Sequence, residues 1–167
     1  MSGWVATYQA RNQHKTAMNI FTTEKLHAHL EVAKTLYRIA NNCHKLVEEL
    51  TKKISHKNAI GNHCAGMGHI DIAALNPVEK AVESISLIIL PDTLVSQPWI
   101  IASNIRQFRE NVEFAFNGHP NLTPQQFTHF VQIMNEITNS LGQTCKDIKE
   151  VVDKIQDTFN KNQANSK

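Results

Sequence analysis

From Gln126 to Phe159 the apolar residues fall at Phe127, Val131, Met134, Leu141, Cys145, Ile148, Val152, Ile155 and Phe159. The steps are four and three residues in turn, and Thr138 takes one seam position beside Ile137. A stripe of that width belongs to a long helix packed against other helices. The same rhythm runs through Leu26, Leu30, Ala33, Tyr37, Ala40, His44, Val47 and Ile54. The pattern predicts two long helices, about 24–55 and 124–159. Thr22 or Thr23 would cap the first, Glu24 suits its first turn and Lys52 and Lys53 suit its end. Thr123, Pro124 and Gln126 form a capping box with proline at the first helical position of the second.

Between them the periodicity lapses. From His56 to Asn76 there is no stripe, and Gly61, Gly66 and Gly68 stand close together, which predicts a long irregular loop. Asn76, Pro77 and Glu79 read as a cap, a first-turn proline and a reciprocal acid, opening a short helix through Val82, Ile85, Ile88 and Ile89 that stops before Pro91. A further helix starts at Ser96 to Pro98, presents Trp99, Ile105, Phe108, Val112 and Phe116, and ends at Asn117 and Gly118. No segment alternates as a strand does. The fold class is therefore all-α, a four-helix-bundle-like domain over residues 22–160 with two shorter middle helices and one irregular loop. Residues 1–21, with loosely spaced Trp4, Tyr8, Met18, Ile20 and Phe21, read as a strap or short helix, and residues 161–167 as a flexible polar tail.

The chain of 167 residues is 41% hydrophobic and 19% charged with a formal net charge of +2, enough for one core and no strong field. Nucleic acid is therefore not indicated. No apolar leader opens the sequence, and the run from Ile85 to Leu90 is far short of the ~20 residues a membrane span needs. Cys43 and Cys145 lie on or beside helical seams and Cys64 in the loop, which reads as reduced thiols. The expected setting is cytoplasmic, although a chain exported by a specialised secretion system would read the same way.

Three constellations have the residue types for chemistry. His56, His63, Cys64 and His69, with Asp71 nearby, supply zinc-type ligands, at a spacing that matches no standard template. His27 with Glu31 and His44 with Glu48 stand four apart, one helical turn, without matching ligands on partner helices for a diiron site. Arg38 to His44, RIANNCH, resembles the RxxxxxH arrangement of HEPN-type helical ribonucleases, which implies that Arg38 and His44 act on a scissile phosphate. Here Ile39 follows the arginine where that family has a polar residue.

The leading expectation is a non-enzymatic module, without catalytic residues or cofactor, that binds another protein or a second copy of itself. Leu36, Ile39, Leu46 and Leu50 on the first long helix and Ile137 and Val151 on the last flank their seams and are the candidate contacts. The alternative is a small metal-binding protein using the 56–71 loop, or a ribonuclease using Arg38 and His44.

Overall fold

In the computed structural model, which describes residues 2–56 and 58–165 and side chains from Thr7 onward, the chain is an all-α bundle. Among the described residues five helices follow in order: α1 (Ser2–Ile54), α2 (Ala59–Cys64), α3 (Asn76–Glu83), α4 (Gln97–Gly118) and α5 (Pro124–Ala164). Short 3-10 turns at Ile72–Leu75 and Asp92–Leu94 precede α3 and α4. Among the described residues there is no strand.

The first helix begins at Ser2 rather than Glu24 and runs for 53 residues, about 80 Å. The threonines expected to cap it turn backwards instead: the Thr22 hydroxyl donates to the Met18 carbonyl and that of Thr23 to the Asn19 carbonyl, each at 2.9 Å. A hydroxyl satisfied by the preceding turn lets the helix pass through a residue that would otherwise start one. Upstream, alanines, glutamines, Arg11, Lys15 and Met18 favour helix and no proline intervenes.

The last helix opens as the sequence predicts. The Thr123 hydroxyl accepts from the Gln126 amide at 3.2 Å, and the Gln126 side chain accepts from the Thr123 amide at 2.9 Å. It extends through Ala164, past the start of the expected tail; Ser166 and Lys167 lie outside the described residues, as does Lys57 in the loop.

α1 and α5 lie antiparallel with an unambiguous register. The His27 ring meets the Phe159 ring at 5.6 Å, His44 lies over Gly142, and the Thr51 and Thr138 hydroxyls are 3.1 Å apart. α4 closes the core with Ile101, Ile105, Phe108 and Val112, packed among Leu36, Ala40, Val47, Met134, Leu141 and Ile148, all fully buried. Each large side chain so buried stabilises the fold by ~1.5–3 kcal/mol. Polar ties join three of the helix pairs. Thr51 with Thr138 joins α1 to α5, and the Asn104 amide donates to the Ser140 hydroxyl at 3.2 Å to join α4 to α5. Arg109 donates to Asn76 and Glu79, both at 2.9 Å, to join α4 to α3.

That last tie corrects the expected cap of α3. Asn76 is already helical, entered from the 3-10 turn, and both polar residues of the supposed capping box serve Arg109 instead. α3 also ends early, at Glu83, where the Ser84 hydroxyl donates to the Ala81 carbonyl, and residues 85–90 are irregular, with a turn at 87–89. Serines at 84 and 86 compete for backbone groups, and three β-branched isoleucines weaken any helix there.

Candidate interaction surface

The 56–76 stretch is more ordered than its composition predicts, because α2 forms within it. Gly66, at φ +71, turns the chain after that helix, and the Asn62 carbonyl accepts from both the Met67 and Gly68 amides. His63 pins the loop to α4. Its ring stacks on Phe116 with centroids 4.3 Å apart, and its Nδ1 accepts the Ile70 amide at 3.2 Å, so the neutral ring carries its proton on Nε2. The Cys64 thiol faces the Phe116 carbonyl at 3.7 Å, while His56 and His69 are exposed and the His69 ring centre is 6.1 Å from that of His63. Among the described residues no three His, Cys, Asp or Glu side chains converge as metal ligands would. The arrangement of His63 and Cys64 is that of a strut between loop and helix.

Arg38 and His44 do not converge either. Six residues along a helix rotate a side chain by about 240° away from its neighbour's direction. Arg38 is exposed, whereas the His44 ring crosses the seam to lie 3.1 Å from the Cβ position of Gly142. The His27 and Glu31 pair is likewise spent locally, His27 against Phe159 and Glu31 with Lys34 at 3.6 Å. Glu48 pairs with Lys52 at 3.2 Å.

The six residues read as apolar flanks occupy a different setting. Leu36, Leu50 and Ile137 are buried in the core, and Ile39, Leu46 and Val151 are half-buried against it. The physical reason is that α1 meets α5, α4, α3 and the 3-10 turn before α3. A helix with neighbours on several sides needs an apolar face wider than one seam. These residues are packed within the chain itself.

Unpacked apolar surface lies elsewhere. From Thr7 to Thr22 every side chain of α1 is exposed, including Tyr8 at 68%, Met18 at 53%, Ile20 at 55% and Phe21 at 64%. The cause is the register with α5. With His27 beside Phe159 and His44 beside Gly142, the end of α5 reaches only to about Phe21, where Asn162 and Asn165 form a cleft with Thr16, Asn19, Ile20 and Thr23. Beyond that point, among the described residues, α1 projects as a single helix. A second apolar surface spans the connection from α3 to α4 and the first turn of α4, where Ile88 is 95% and Trp99 72% exposed, with Leu87 and Val95 also open to solvent. Val95 and Trp99 stand one turn apart.

The spacing of Tyr8, Met18, Ile20 and Phe21 gave little warning of the projection, since its length follows from the inequality of α1 and α5. Periodicity carries the expected helix on through Ile88, whereas α3 ends at Glu83 and Ile88 stands in the turn beyond it. No helix among the described residues is long and apolar enough to cross a membrane. Comparison with profiles of known protein families, with curated proteins and with solved structures gives no match to this chain.

Proposed function

We propose that the chain is a non-enzymatic helical interaction module that engages a partner polypeptide through the projecting part of α1. The supporting observation is the exposure of Tyr8, Met18, Ile20 and Phe21 on a stretch of α1 that, among the described residues, only the end of α5 approaches. Isolated helices of this length are marginal in water, and most helices in proteins are stabilised by packing one face. Large apolar side chains held on such a helix mark an interaction surface. The bundle formed by α1 beyond Leu26, α4 and α5 then serves as the anchor that holds the projection extended.

Site-specific photocrosslinking in cells tests this reading. A photoreactive residue at position 8, 18 or 21 should give discrete crosslinked products, whereas one at Asp153 or Glu136, exposed on α5, should not. Equal labelling at all five positions, or none at the first three, would remove the proposal.

A further inference from the structure

We propose that the occupant of the projecting α1 face is an α-helix of another protein that sets carboxylates against Arg11 and Lys15 and apolar residues against Tyr8 and Met18. This rests on the interaction reading above and specifies the partner's chemistry. Tyr8, Arg11, Lys15, Met18 and Thr22 follow one another at three- and four-residue steps, the spacing of a helix-packing seam. Thr22 and Ala33 are eleven residues apart, close to three whole turns, so this face runs on into the buried seam through Ala33, Tyr37, Ala40, His44 and Val47. The face that packs on α5 farther along is thus repeated where α5 no longer reaches, and a helix fits it.

Charge selects which helix. Between Thr7 and Thr23 the chain carries Arg11, Lys15 and His14 and no acid; the first carboxylate is Glu24. Among the described residues neither Arg11 nor Lys15 takes part in an ion pair. Both cations sit at seam positions flanked by Tyr8 and Met18, so a helix packed there covers them. A cation covered without a carboxylate opposite it is costly, and a matched carboxylate turns that cost into selectivity.

A second copy does not meet this requirement. Antiparallel pairing of two projections along their length brings the 11–15 region of one against the 11–15 region of the other. Parallel pairing sets Arg11 on Arg11. Either way four cations gather with no acid among them. An anionic lipid surface fits no better, since an interfacial helix separates its cations from its apolar face. Here Tyr8 and Met18 share the stripe with Arg11 and Lys15, while Ile20 and Phe21 lie on other sides.

The test uses the full chain and two labelled synthetic helices of 28 residues, each with leucine at its seam positions except the two central ones. Those two are glutamate in one peptide and lysine in the other. Fluorescence anisotropy should show the glutamate peptide binding at least about tenfold more tightly at low salt, with the advantage shrinking as salt rises. The Arg11→Glu, Lys15→Glu double variant, whose unchanged melting curve certifies its fold, should prefer the lysine peptide instead. Equal binding of both peptides would overturn the acidic assignment while leaving the interaction surface standing. Absence of binding together with absence of crosslinks at positions 8, 18 and 21 would remove both. Concentration-dependent dimerisation of the wild-type chain that the double variant abolishes, or tighter binding to phosphatidylserine vesicles than to the glutamate peptide, would also overturn it.

Discussion

Replacing Gly142 with alanine sets two effects of known size against each other. In the interior of a helix alanine is favoured over glycine by about 1 kcal/mol, so on α5 alone the change stabilises. The new Cβ would stand 3.5 Å from Cε1 and only 3.1 Å from Nε2 of the half-buried His44 ring, the latter tighter than ordinary van der Waals contact. Crowding of this kind costs roughly 1–3 kcal/mol when the neighbour is held by packing. The crowding should cancel or outweigh the propensity gain, leaving Gly142→Ala between neutral and about 2 kcal/mol less stable than wild type. In a His44→Ala background the crowding is gone, and the same change should stabilise by about 0.5–1 kcal/mol. Urea denaturation of the four proteins gives the cycle directly, with an expected coupling of about 1–3 kcal/mol between positions 44 and 142. A Gly142→Ala change that stabilises both backgrounds equally would refute the packing of His44 across the α1–α5 seam.

Three other perturbations probe the core and its ties. Phe108→Ala removes a ring with no exposed surface and should cost about 3–5 kcal/mol in urea denaturation; a loss under 1 kcal/mol would contradict its place at the centre of the bundle. Arg109→Ala leaves Glu79 and Asn76 without their shared donor, and should cost about 1–2 kcal/mol, with faster amide exchange in α3 than in α5. The Cys43 thiol is pushed from the ordinary 9.0 up to about 12, first by burial and then by the nearby Cys145. The folded chain therefore holds that proton to higher pH than the unfolded chain does, so its contribution is intact below pH about 9 and is lost as pH rises toward 12. The urea midpoint of wild type should fall more steeply between pH 9 and 11 than that of Cys43→Ala, and parallel curves would contradict the burial.

The helical class and the two long elements were legible because the seam of α5 and that of α1 after Leu26 repeat over many turns, and because the Thr123 box is purely local. Most of what escaped the sequence depended on contacts between residues far apart in the chain. Thr22 and Thr23 are as suitable for capping as for bonding back to the preceding turn, and only the continuing helix decides between them. Asn76 and Glu79 have the residue types of a capping box, yet Arg109, thirty residues on, claims both. Leu36, Leu50 and Ile137 looked like spare apolar edge when each helix was matched to one neighbour. With several neighbours around α1 the edge is consumed. The projection of α1 arises from a difference between two helix lengths and their register, which no local pattern encodes.

Residue-resolved amide hydrogen exchange along α1 of the full chain, alone and with the glutamate peptide at saturation, tests whether the projecting part of α1 is a docking helix. In the chain alone, residues 7–22 should exchange orders of magnitude faster than residues 30–54, with the change near Leu26, because only the latter are packed. With the peptide bound, residues 7–22 should become protected while the pattern of the bundle stays the same. Uniform protection of α1 in the chain alone, or no gain in protection on adding the peptide, would contradict the assignment of this segment as an uncovered docking helix.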